Sequence, residues 1–163
     1  MKQIPTSTKL LDSVWAMQRN QRITTGEVYK YKACLNAHGG QQVHGIHYWY
    51  NYAPVVTFFA IRMILSLVLL HNWSTLTVDF IWAYPQADEE SETYIKLPCG
   101  INFGPNISRT MHVLKLLKNI YGLKQAGHVC NNHLHQGLLQ LKFVQSKCNP
   151  FIFYRGMWSW ASI

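Results

Sequence analysis

The sequence predicts one α+β domain, and three observations carry that assignment. Short stretches of strand-like residues recur, partly alternating, at Val14–Met17, Val28–Leu35, Asn72–Phe80, Glu92–Pro98 and Phe151–Tyr154. Two longer stretches, at Phe58–His71 and about 125–141, have helical spacing instead. The two kinds are interspersed, with no internal repeat and no linker between them. A length of 163 residues suits one sizeable core and is short for two, so residues 1–163 read as a single domain.

Taken in order, Val14–Met17 and Val28–Leu35 flank the polar, turn-like Asn20–Glu27 and predict a hairpin. Asn36–Gly45 is rich in glycine and reads as a loop, followed by the aromatic crowd His47–Tyr52. The run Pro54–Leu70 is the most membrane-like segment. It carries Arg62 near its middle, which costs roughly 2.5–3.5 kcal/mol in a bilayer, and it is short of the ~20 residues a span needs. A buried core helix over 58–71 is the better reading, with Ile61, Ile64, Leu65, Val68 and Leu69 on its apolar face. Asn72–Phe80 returns to period two, with Thr75, Thr77 and Asp79 on one side, and Pro85 bars its continuation as a strand. Glu92–Pro98 is a short strand, Met111–Ile120 has mixed periodicity, and Gly122 marks a break. The helix over 125–141 places Val129, Leu134, Leu138 and Leu141 on its buried side.

The balance of 15 Lys+Arg against 7 Asp+Glu gives +8, which favours anionic partners such as nucleic acid. The cations are scattered rather than gathered into a tail. Four isolated cysteines without a CxxC pair, and an N-terminus with a proline and polar residues in place of an apolar leader, predict an intracellular protein that is not secreted. No membrane partner is expected.

Asp79 is the first residue that could carry chemistry, a lone charge between Leu76-Thr77-Val78 and Phe80-Ile81-Trp82. A carboxylate at a strand end suits a divalent cation, because the strand fixes it and the turn leaves it accessible. On spacing alone, a cap for the following turn or a surface position is the commoner role. His128, Cys130, His133 and His135 lie within eight residues, but on a helix they spread around the axis and make a poor zinc set. The acidic run Asp88–Glu92 reads as a solvated turn.

Four blocks in order raise the functional reading. V78-D-F-I-W-A-Y-P-Q-A87, followed by S91-E-T-Y-I-K-L-P-C-G-I101, resembles the core of the reverse transcriptase domain of Ty1/copia-type retrotransposons. N119-I-Y-G-L-K-Q-A-G-H128 resembles that family's diagnostic "YGLKQA" block. Y31-K-A-C-L35 resembles its "YKARL" in the fingers, and Y52-A-P-V-V56 its "SPV" segment. The likeness runs from about Val14 to Gly156. It implies a partial right-hand polymerase fold: a fingers hairpin plus an incomplete palm sheet packed by helices.

The resemblance also implies roles. Asp79 matches the first metal-binding aspartate of the palm, for Mg²⁺ or, in its place, Mn²⁺. Tyr84 matches the aromatic under the incoming sugar, where a ring against C2′ leaves no room for the 2′-hydroxyl of an RNA building block. Tyr121, Gly122, Lys124 and Gln125 match the block near the template and the nucleotide pocket, and Lys32 keeps a basic side chain in the fingers. The partners implied are an RNA template, a DNA primer and deoxynucleoside triphosphates.

Departures from the family cut against activity. Cys34 stands where a triphosphate-gripping arginine is expected, and His38, His128, Cys130 and Asn149 replace other family residues. Gly156–Ile163 contains no acidic residue where the family leads into its Tyr-x-Asp-Asp turn. The expectation is therefore a truncated reverse transcriptase portion that is inactive alone, with an incomplete metal site. The alternatives are a non-catalytic nucleic-acid-binding module and a non-functional retroelement remnant.

Overall fold

The computed structural model describes residues 10–156 throughout and the backbone of 2–3 and 159–162. Most of 1–9, where a leader was judged absent, and Met157, Trp158 and Ile163 of the acid-free end lie outside the described residues.

The hairpin forms, longer than the alternation suggested. Strands β2 (Ser13–Gln21) and β3 (Val28–Ala37) pair antiparallel, Val14 opposite Asn36 and Gln18 opposite Lys32, with a bulge at Asn20/Gln21. The turn closes by Arg22 N–H donating to Glu27 O at 2.9 Å, and Gly26 takes the left-handed φ of +71° the turn requires. The loop after β3 begins with a single 3₁₀ turn at Gly39–Gln41.

Helix α1 spans Phe58–His71, as the spacing predicts. Thr57 caps it, its hydroxyl accepting from Ala60 N–H at 3.3 Å, and Asn72 ends it in the left-handed region at φ 51°. Its burial is a correction to the sequence reading. Only Ala60 is buried, while Phe58 is 69%, Leu65 52% and Leu69 81% exposed. Ile61, Ile64 and Val68 are half-covered. Among the described residues no sheet or second helix lies across that face.

The strand expected at 72–80 does not form either. Residues 73–80 are irregular, and Leu76, Val78, Phe80 and Asp79 all face solvent. Alternation alone does not make a strand, since a ladder needs a neighbour to receive its N–H and C=O groups. None of the described strands runs beside this segment. A short helix, α2 (Ala83–Gln86), follows, entered through Trp82 at φ 54°.

The remaining elements make two further antiparallel sheets. In one, β5 (His112–Lys115) lies between β1 (Lys2–Gln3) and β4 (Tyr94–Lys96). In the other, β7 (Ile152–Arg155) lies between β6 (Val144–Gln145) and β8 (Ser159–Ser162). Helix α3 (Ala126–Gln140) buries Val129, half-covers Leu134 and Leu138, and leaves its expected inward residue Leu141 exposed at the C-cap. His135 meets the ring of buried Phe153 at 5.4 Å, which ties α3 to β7. None of these helices is long and apolar enough to cross a membrane among the described residues.

The core is small. Leu11, Ala37, Ile95, Leu123 and Ala126 form it, with Leu35, Tyr84, Leu114, Leu116 and Ile120 packed around. Leu11 joins the hairpin base to β4: its N–H donates to Tyr94 O at 3.1 Å, and its carbonyl accepts from Lys96 N–H at 2.9 Å. The Lys96 ammonium closes the same junction on Asp12 at 2.8 Å.

Two glycines let backbone cross backbone beside this core. A Cβ on Gly122, which sits at φ +91°, would collide with Ala37 O, and one on Gly39 would collide with Gly122 O. Gly122→Ala combines a strained φ of about 1–2 kcal/mol with an overpacking term of about 1–3 kcal/mol. Urea unfolding should show a loss of about 2–5 kcal/mol, and a loss below 1 kcal/mol would contradict the close approach. A second expectation concerns Asp12. Lys96 and then Gln41, by hydrogen bonds, hold its carboxyl below the ordinary 3.8. A depressed folded value makes the contribution full above the unfolded pKa and lost as pH falls through the lowered one. Carboxyl NMR should place the Asp12 midpoint below 3.8; a midpoint at or above it would contradict the pairing.

Candidate nucleic-acid interface

The sequence marks Tyr121–Gln125 as one block, and the fold shows what the block docks on. Ala37 N–H, at the end of β3, donates to Tyr121 O at 2.9 Å. Gly122 then crosses the Ala37–Gly39 backbone, and Leu123 drops into the core. Lys124 N–H donates to Gln42 Oε1 at 2.7 Å. The 121–125 segment is thus bound along the loop that leaves the hairpin.

Tyr84 reaches the same place from α2. Its ring meets that of Tyr121 at 4.7 Å and a tilt of 58°, over the core cluster. Gln86 Nε2 donates to Ile81 O at 2.8 Å and fastens the turn before it. Tyr84, Tyr121, Gly122, Lys124 and Gln125 are therefore brought together. Asp79 and Lys32 do not join them by any contact. Lys32 is exposed on the hairpin, and Asp79 makes no hydrogen bond or ion pair among the described residues.

Gln125 is buried at the centre of a polar chain. Gln42 Nε2 donates to Gln125 Oε1 at 2.9 Å, and Gln125 Nε2 donates to Glu89 Oε1 at 2.8 Å. The Ser91 hydroxyl donates to that same Glu89 oxygen at 2.6 Å, while Glu89 Oε2 is buried without a partner. Glu89 belongs to the run read as a solvated turn, and for Glu89 that reading is corrected. Its neighbours do behave as surface charge: Asp88 pairs with Lys118 at 2.6 Å, and Glu92 pairs with Lys115. Sequence reasoning missed Gln42 and Glu89 altogether. A glutamine in a Gly-rich loop and one glutamate among four acids carry no spacing signal.

Lys124 leans over the Tyr48 ring at 5.1 Å, with Nζ 3.4 Å from Gln42 O. Cation–π and hydrogen-bond contacts of this kind fix the ammonium beside the 47–50 turn without neutralising it. His128, in the first turn of α3, contacts the 50–52 segment. Its Nδ1 lies 2.8 Å from Tyr52 O, and its ring stands 5.8 Å from that of Tyr50.

The donor set does not fit a two-cation centre. Three of the seven carboxylates are held in ion pairs, Glu89 is taken by Gln125 and Ser91, and among the described residues no three His, Cys, Asp or Glu side chains converge. Asp79 alone offers too few oxygen ligands to strip a hard cation of its waters.

The buried chain makes a direct prediction. Gln125→Leu leaves Gln42 Nε2 without its acceptor and removes a donor from Glu89, each costing about 1–3 kcal/mol. Chemical denaturation should show a combined loss of about 2–6 kcal/mol. In a double-mutant cycle with Gln42→Leu the coupling should reach about 1 kcal/mol. Additive effects would mean that the two amides do not interact.

The profile of the family described as "Reverse transcriptase (RNA-dependent DNA polymerase)" matches residues 1–161. Among curated proteins, the "Retrovirus-related Pol polyprotein from transposon RE2" of Arabidopsis thaliana is 30% identical over 149 residues, covering 91% of this chain. The corresponding RE1 polyprotein of the same plant is 28% identical over 149 residues. That from transposon TNT 1-94 of Nicotiana tabacum is 28% identical over 129 residues, or 79% of the chain. The matched stretch makes up 10% of the length of each of these relatives. No solved structure matches the chain significantly. With almost every residue inside the family profile and the Tyr84–Tyr121 and 121–125 contacts in place, this chain belongs to the reverse transcriptase (RNA-dependent DNA polymerase) family, among relatives of the retrotransposon Pol type.

Proposed function

We propose that residues from about 14 to 156 act as the fingers hairpin and first palm elements of an RNA-directed DNA polymerase, gripping RNA template, DNA primer and incoming nucleotide. The observation that carries this reading is the convergence of Tyr84 with the 121–125 block at the hairpin base. The ring of Tyr84 is backed by Tyr121 and the core, so it is held rigid enough to discriminate at a sugar. Lys124 and the exposed Lys32 supply charge for phosphate.

The 163-residue chain by itself binds nucleic acid and does not polymerise. Asp79 is the one carboxylate the family's chemistry would use, and it stands on an irregular segment. Cys34 replaces the arginine fork expected on β3, half-buried opposite Ala16. Both defects fall on the phosphoryl-transfer step, where positioning and electrostatics supply most of the rate. The surplus of eight positive charges, with three acids already paired internally, supports retained binding. The four free cysteines fit an intracellular, reducing setting.

Purified chain should bind an RNA–DNA duplex with an affinity that falls steeply between 50 and 200 mM salt. It should give no primer extension on a homopolymer template with Mg²⁺ or Mn²⁺. Extension abolished by Asp79→Asn would sink the inactive reading, and salt-independent binding would sink the electrostatic one.

A further inference from the structure

A cleft of about 250 Å³ opens between the 47–50 turn, the 89–91 segment and the start of α3. Tyr48, Trp49, Tyr50 and His128 line it together with Glu89 and Glu90. Its volume lies just below the roughly 300–1,000 Å³ of ordinary small-molecule sites, which suits one planar ring system better than a whole nucleotide.

The lining selects the chemistry of that ring. Trp49 is 57% and Tyr50 73% exposed, unusual for side chains of their size unless a partner covers them. Glu89 and Glu90 oppose entry of a phosphate. Glu89 Oε1 is taken by Gln125 and Ser91 and its Oε2 is buried, so the exposed Glu90 is the acceptor for ring and exocyclic N–H groups. Lys124, over the Tyr48 ring, puts a cation beside the cleft where a sugar–phosphate chain would pass. Flat aromatic faces, one carboxylate acceptor in the lining and a cation outside describe a site for a base whose backbone stays in solvent.

We propose that this cleft receives one unpaired base of a single-stranded nucleic acid, stacked on Trp49 and Tyr50. The inference rests on the nucleic-acid reading above and deepens it by naming the contact. None of the aromatic side chains involved belongs to the 121–125 block or to Tyr84; Gln125 also lines the cleft, so the site adjoins that block and adds aromatic faces to it.

Two labelled oligonucleotides of equal length and charge test it, one carrying all its bases and one abasic, titrated by fluorescence anisotropy with the full chain. Charge alone binds both equally. A stacked base should favour the base-bearing strand by about fivefold or more, the factor one aromatic–base contact supplies. Trp49→Ala combined with Tyr50→Ala should bring that ratio close to one, whereas Tyr29→Ala, on the hairpin, should leave it unchanged. Because Trp49 and Tyr50 are exposed, the double variant should keep the circular dichroism of the parent. Equal affinities for the two probes, or a ratio that survives the double variant, overturns the cleft as a base site. If neither probe nor the RNA–DNA duplex binds, the wider nucleic-acid reading falls and takes this inference with it. Duplex binding without a base-dependent ratio overturns this inference alone.

Discussion

The crossing of Gly122 over Ala37 and Gly39 is the constraint on which the rest of the site depends. At that point two backbones approach within a distance no side chain permits, so sequence identity there is dictated by space rather than by chemistry. The crossing holds Tyr121 O on Ala37 N–H and orients Tyr121 toward Tyr84. It also drives Leu123 into the core and delivers Lys124 and Gln125 to the 42–48 loop. Tyr84 is held by the Tyr121 ring and the core cluster, with the Gln86–Ile81 bond fastening its turn. A motif read as five functional letters is, in physical terms, two glycine-permitted contacts with polar side chains hung from them.

Legibility followed the range of the interaction. The hairpin and α1 were visible because their signals are local: alternation around a polar turn, and an apolar run at helical spacing. Gly122 was legible as a break, though not as a contact. The Gln42–Gln125–Glu89 chain was not legible, since its members lie 83 and 36 residues apart and polar pairing leaves no periodic trace. β1, β6 and β8 are too short to show a period. Of the seven site residues, five converge: four from the 121–125 block, and Tyr84 against the same core.

Sequence reasoning failed toward burial at two segments and toward solvent at Glu89. It took alternation at 72–80 and an apolar stripe on α1 as evidence of burial, and both remain open to solvent. Amphipathicity states only what a segment would bury given a partner, and periodicity carries no information about whether the partner is present. The chain exposes 12042 Å², whereas a compact protein of its mass exposes about 8,300 Å². Large apolar side chains of α1 and of 76–82 contribute to that excess.

The same uncovered surface explains why Asp79 is left without support while Tyr84 keeps its place. The two lie five residues apart, on either side of the left-handed turn at Trp82. Tyr84 has a core behind it and a second ring against it. Among the described residues Asp79 has neither ladder nor hydrogen bond to fix its carboxylate. A metal ligand must be held to within about half an ångström, and that precision comes from the supporting shell rather than from the ligand. An unpaired segment gives a carboxylate charge without position, and charge without position attracts cations only diffusely. Position, which a supported backbone segment supplies to Tyr84 and not to Asp79, is the physical difference between the two residues.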